Sequence, residues 1–179
     1  MDKNVISYCG ERPLGIRDHG IIAPPDESYS DSLKITDCDH GYVRAIRIFG
    51  GAEDCLDVNN RCRNIEVSAG EWHSGGKYVC TIKGGSENIT VGGIIVKHGS
   101  EVDVDIGNRS DQSDNTTRGV ALDFSTRDGS PVTVRVLNAE RPRILNPGQP
   151  YRFVLVFGPT VGSIWQKLFN QFVKLFGKH

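Results

Sequence analysis

Short alternating strands recur along the middle of this chain at a nearly constant step, and that recurrence constrains the fold more than any other feature. Between about residues 33 and 137 the sequence reads LKITDC, RAIRIF, CLDVNN, NIEVSA, CTIKGG, NITVGGIIV, VDVDIG, VALDFS and VTVRVL. Each segment alternates apolar and polar residues with period two, and Gly, Asn, Ser or Asp separates most of them. One apolar series runs Ile35, Val58, Ile82, Val104, Leu122, and a second runs Ile46, Ile65, Ile89. Both advance by roughly 20–25 residues, the kind of period that marks stacked repeats. Leucine-rich and helical repeats lack their signatures here. The pattern predicts an all-β chain: a short right-handed parallel β-helix of about four to five coils. Its inward Ile, Val and Leu should form ladders, and Lys34, Arg47, Asp57, Glu66, Thr90, Asp103 and Asp105 should face outward. An antiparallel sandwich or jelly roll is the competing architecture. The 21 glycines among 179 residues, well above the usual ~7%, fit coil corners, with Gly84-Gly85 and Gly92-Gly93 at expected positions.

The flanks break this pattern. Residues 1–30, punctuated by Pro13, Pro24 and Pro25, read as an irregular arm or cap; 31–158 is the β-helix body, ending in the nearly continuous apolar strand YRFVLVFG. Residues 159–179 read as a C-terminal amphipathic helix. In it Ile164, Trp165, Leu168, Phe169, Phe172, Leu175 and Phe176 recur at helical spacing, with Ser163 as N-cap. So much aromatic surface calls for cover. The stripe fits a cap over the open coil end, a docking arm for a neighbouring subunit, or an in-plane membrane-surface helix over 163–178.

Charge and cysteine usage exclude several classes. With 21 basic and 22 acidic residues the net charge is -1, which argues against nucleic-acid binding through bulk positive charge. No apolar run reaches the length of a membrane-spanning helix, and no secretory leader is expected from MDKNVISYCGERP. The five cysteines (Cys9, Cys38, Cys55, Cys62, Cys80) lack metal-knuckle spacing and read as buried thiols. No calcium loop, phosphate cradle or nucleophile elbow is present, so neither a metal nor a cofactor is expected.

Two acidic clusters, Asp37-Cys38-Asp39-His40-Gly41 and Glu53-Asp54-Cys55-Leu56-Asp57, lie about one coil apart and are expected to stack. The stretch AEDCLDVNNRCRNIEV followed by GGSENITVGGIIVKHG resembles coils of the pectin-lyase-like β-helix superfamily, polygalacturonase-type enzymes included. The resemblance covers about residues 50–105. It implies that Asp54 and Asp57 stand for part of a catalytic acid–base cluster and His98-Gly99 for a His-Gly motif, but no Arg-x-Lys follows. Surface acids and a turn-exposed histidine are the plainer reading. Trp72 and Tyr78, in AGEWHSGGKY, would either stack on a sugar or partner, or cover the coil edge. The loop NRSDQSDNTTR is a further candidate for binding.

A short β-helix with arms at both ends also resembles virion proteins of tailed phages, which use β-helices in spikes, fibres and capsid decoration, often as trimers. The leading expectation is a non-enzymatic structural protein of a virus particle. It would contact other copies of itself and other virion proteins through its termini, and reside in the virion, with the cytoplasm as the alternative. A carbohydrate-binding or polysaccharide-degrading protein is the alternative, and a membrane-associated module is the next.

Overall fold

The structure, a computed structural model, describes residues 6–9, 14–24, 30–107 and 116–156. The predicted C-terminal helix (159–179, including Ile164, Trp165, Leu168, Phe169, Phe172, Leu175 and Phe176) lies outside the described residues, as does most of the 108–118 loop.

Thirteen strands are described: β1 (Ile6–Cys9), β2 (Leu14–Ile22), β3 (Asp31–Thr36), β4 (Asp39–Phe49), β5 (Asp54–Asn59), β6 (Arg63–His73), β7 (Tyr78–Ile82), β8 (Glu87–Lys97), β9 (Val104–Gly107), β10 (Ala121–Thr126), β11 (Val132–Leu137), β12 (Arg143–Ile144) and β13 (Tyr151–Val156). The odd strands form one seven-stranded sheet in the order β1-β3-β5-β7-β9-β11-β13. The even strands form a six-stranded sheet in the order β12-β10-β8-β6-β4-β2. All pairings are parallel. The chain is a parallel β-solenoid of about five turns, with no helix among the described residues. Antiparallel sandwich pairing is thereby excluded.

The ladders refine the predicted repeat. In the odd sheet Leu33, Leu56, Cys80, Val104 and Val134 are successive partners, as are Ile35, Val58, Ile82, Ile106 and Val136. In the even sheet the row is Ile16, Val43, Val67, Val91, Leu122, Ile144. Three expected positions move accordingly. Leu122 belongs to the even sheet, Val104 sits one inward place earlier than assumed, and Ile46 faces solvent at 61% exposure. The physical reason for the last is a bend inside the long even strands. Ala45 and Ala69 are paired, and so are Ile48 and Trp72, yet each inward residue is followed by the next three positions later, so alternation slips by one. A register shift between Ala69 and Glu71 marks the same bend against β8.

Asn, Asp and Gly set the corners. At or just after the ends of the odd strands, Asp37, Asn60, Arg61, Gly84, Gly85, Gly107 and Asn138 take positive φ; at or just before the starts of the even strands, His40, Asn64, Asn88 and Gly119 do. These are left-handed positions that Gly and, among other residues, Asn and Asp tolerate best. Asn88 Nδ2 donates to Asn64 Oδ1 at 3.3 Å, so the corners themselves form a side-chain ladder. Gly84-Gly85 is thus a corner as expected, whereas Gly92-Gly93 lies within β8 at its bend. There φ of Gly93 is +130°, and a Cβ would stand 1.9 Å from Ala69 O and 2.8 Å from Trp72 Nε1.

The core between the sheets is thin and aliphatic, with Trp72 and Phe124 as its largest members. Cys38, Cys55, Cys62 and Cys80 are buried and unbridged, as expected. The predicted N-terminal arm needs one correction: within residues 1–30, β1 and β2 are paired rungs of the solenoid, continuous with β3 and β4. The Gly-rich, bulged β2, whose register shifts between Ile16 and His19, hides its alternation.

Candidate functional site

The outer face of the odd sheet carries a ladder of charge. Parallel pairing places Lys34, Asp57, Thr81, Asp105 and Arg135 side by side on consecutive rungs, about 4.8 Å apart. Opposite charges on adjacent rungs stabilise this register, as cross-strand pairs do generally. Lys34 Nζ lies 3.3 Å from Asp57 Oδ2 and 3.5 Å from Asp31 Oδ2. Arg135 clamps Asp105 with both prongs, Nε at 2.8 Å and Nη2 at 2.6 Å.

Around this ladder opens a cleft of about 470 Å³, lined among others by Asp54, Tyr78, Thr81, Lys83, Asp105 and Arg135. Asp54 is 4% exposed and Asp57 2% exposed, which overturns the reading of both as solvated surface acids. Burial, reinforced by the charges of Asp31 and Asp57 and opposed by the Thr81 hydroxyl and Lys83, pushes the Asp54 carboxyl up to about 7. Burial first, and then Asp57, raises Asp31 as well. Asp54 Oδ1, Asp57 Oδ1 and Thr81 Oγ1 are buried, with the Thr81 hydroxyl against the Asp54 carboxyl. Lys83 Nζ is 3.2 Å from Asp57 Oδ1, but off the direction a hydrogen bond requires. Asp54 and Thr81 belong to the cleft lining, while Asp57 is ion-paired with Lys34 and Lys83.

Tyr78 stands in the cleft wall. Its hydroxyl donates to Glu101 Oε2 and accepts from Arg135 Nη2, both at 2.9 Å, and the Arg135 guanidinium lies 5.3 Å from its ring centre. Trp72, by contrast, is fully buried in β6. Its indole N–H donates to Gly92 O at 3.0 Å and its ring meets Phe124 edge-on at 5.9 Å. It therefore presents no face to a sugar or partner, because the bend in β6 turns it inward where Gly93 leaves room.

His98 lies apart from the carboxylate floor, after β8, in a neighbouring cleft of about 350 Å³. Its Nδ1 is 2.9 Å from Asp103 Oδ1 and its Nε2 2.8 Å from Ser130 Oγ. Glu101 borders this second cleft and also bonds Tyr78, so the two adjoin. The first acidic cluster does not stack on the second: Asp39 pairs with Arg63, while Asp54 pairs with Asp31 and Tyr78. Among the described residues no group of His, Cys, Asp and Glu is arranged to hold a metal.

Reasoning from sequence missed Thr81, Lys83, Arg135, Asp103 as a buried group, and Ser130. The ladder members were accessible to it in principle. Aligning the strands at a step of 24 residues stacks Asp57 on Thr81 and Asp105. Ser130 had no such signal, because it sits in a turn between β10 and β11, outside the strand alternation. No family profile, no curated protein and no solved structure matches the chain.

Proposed function

We propose that the chain is a structural protein of a virus particle: a right-handed β-helix body, in the style of the pectin-lyase-like proteins, that joins further copies of itself and other virion proteins. The supporting observation is the pair of open stack ends. Among the described residues, β1 and β13 in one sheet, and β2 and β12 in the other, have a strand partner on one side only. Such edges are templates for association unless covered, and a rigid stack with two joinable ends suits a spacer within an assembly. The aromatic segment 163–178 would serve as one docking arm. Native mass spectrometry of the full chain and of a chain truncated after Gly158 tests this. A discrete oligomer for the full chain and a monomer for the truncated one is expected, and a monomeric full chain overturns the reading. Vesicle flotation of the same two chains tests the membrane-surface role of that segment.

A carbohydrate-directed role is the second reading, favoured by the buried carboxyl of Asp54, which lines the cleft together with Thr81 and Lys83. With Asp54 titrating near neutrality, the pair has the character of an acid beside a carboxylate held by lysines. Release of reducing ends from acidic polysaccharides, and retention on immobilised polysaccharide, should both fall in Asp54→Asn and Asp57→Asn. Absence of both behaviours in the parent chain removes this reading.

A further inference from the structure

The cleft beside His98 supports an activity that goes beyond both readings. The turn Asp128-Gly129-Ser130-Pro131 joins β10 to β11 and seats Ser130 against the end of β8. Ser130 Oγ is 2.8 Å from His98 Nε2, and His98 Nδ1 is 2.9 Å from Asp103 Oδ1. Asp103 is 2% exposed and is pinned from the backbone: Oδ1 accepts the Gly99 N–H at 3.1 Å and Oδ2 the Thr133 N–H at 2.8 Å. With a carboxylate on the Nδ1 side, the ring proton belongs on Nδ1 and Nε2 faces the hydroxyl. This is the geometry of a serine nucleophile, a histidine base and an orienting aspartate, which is recognised by roles rather than by chain order.

We propose that Ser130, His98 and Asp103 form a nucleophilic relay that hydrolyses small acyl esters. Ser130 Oγ attacks the ester carbonyl carbon while His98 Nε2 takes the hydroxyl proton. The carbon–oxygen bond to the alcohol breaks, and the alcohol leaves with that proton. Water then attacks the acyl-serine, again giving a proton to His98, and a carboxylic acid departs as Ser130 is restored. Arg152 lines the same cleft, where its only described bond is a long one (3.3 Å) to Thr133 Oγ1. Its guanidinium is the cationic group of this cleft and would serve the developing oxyanion. A volume near 350 Å³ admits an acetyl or similarly short acyl group on a larger alcohol.

Asp128 is a competitor. Its Oδ1 lies 2.6 Å from Ser130 Oγ, accepts the Ser130 N–H at 3.0 Å and is 3.7 Å from His98 Nε2. When Asp128 holds the hydroxyl proton, Ser130 cannot give it to His98. Asp128→Ala should therefore raise the rate.

The test uses the full chain with a fluorophosphonate reagent and with p-nitrophenyl acetate. A single adduct mapping to Ser130 by peptide mass is expected. Ser130→Ala should abolish it, and His98→Asn should slow both reactions about 100-fold or more. Asp103→Asn, a positioning change, should lower kcat with KM unchanged. Circular dichroism of each variant separates lost chemistry from lost folding. A folded parent chain that forms no adduct, or Ser130→Ala labelled at the parent rate, overturns the proposal.

Discussion

Replacing Asp54 by Asn should make the protein more stable, and only at the higher end of the pH range. Asp54 is buried, and its carboxyl is pushed from 3.8 up to about 7. Its folded-state pKa thus lies above its unfolded one. Between pH 4 and pH 7 the folded chain binds more protons at this site than the unfolded chain does, so stability falls as pH rises through that window and levels off above it. The gap between 3.8 and about 7 corresponds to roughly 4 kcal/mol when Asp54 is fully ionised. Asn keeps the shape, cannot ionise, and retains an amide oxygen that can accept from the Thr81 hydroxyl. Urea unfolding of parent and Asp54→Asn chains at pH 4, 5, 6, 7 and 8 measures the effect. The difference in unfolding free energy should grow by roughly 3–4 kcal/mol from the lowest to the highest pH. The slope should lie in the parent chain. Two curves that stay parallel across the range would show that burial does not govern this carboxyl, and the account of the cleft floor would fail with it.

Three further outcomes follow from the packing. Trp72→Ala should cost about 3–5 kcal/mol in chemical unfolding, since the indole is fully buried, hydrogen-bonded to Gly92 O and packed on Phe124. Arg135→Leu should cost about 1–3 kcal/mol, because it strips Asp105 of its bidentate partner; the loss should shrink when Asp105→Asn is combined with it. Cys55, Cys62 and Cys80 should resist a thiol reagent in the native state and react on unfolding. All three are buried, and burial raises each thiol, with Cys62 pushed up to about 11.

The legible and illegible parts of this fold divide along physical lines. Alternation reports which side of a strand is buried, and the odd strands keep their alternation, so Leu33, Leu56 and Cys80 were open to reading as a ladder. The even strands bend midway, and one slipped position sends Ile46 outward and Trp72 inward. A period-two rule cannot see a bend that depends on Gly70 and Gly93 on neighbouring rungs. The same limit hid β2, whose bulge interrupts its pattern. For the candidate site, Asp54 and Asp57 stood out as acids, but their burial, and the Lys34 and Lys83 that flank Asp57, come from other stretches of the sequence. Asp103 and Ser130 are 27 residues apart in sequence and meet through His98 alone, a juxtaposition that no local motif encodes.

The stacked corners have a consequence for how such a body changes size. Each rung hands the next an equivalent left-handed turn, as Asn64 does to Asn88, so its natural unit of growth is a whole coil. Duplicating or removing one stretch of 24 residues would lengthen or shorten the rod by about 4.8 Å and leave every remaining ladder in register. Additions of other lengths must loop out at a corner. Val104 and Val134, partners on adjacent rungs, are 30 residues apart, longer than that unit. The body therefore behaves as a ruler graduated in coils, with its variable matter confined to the edges of the rungs.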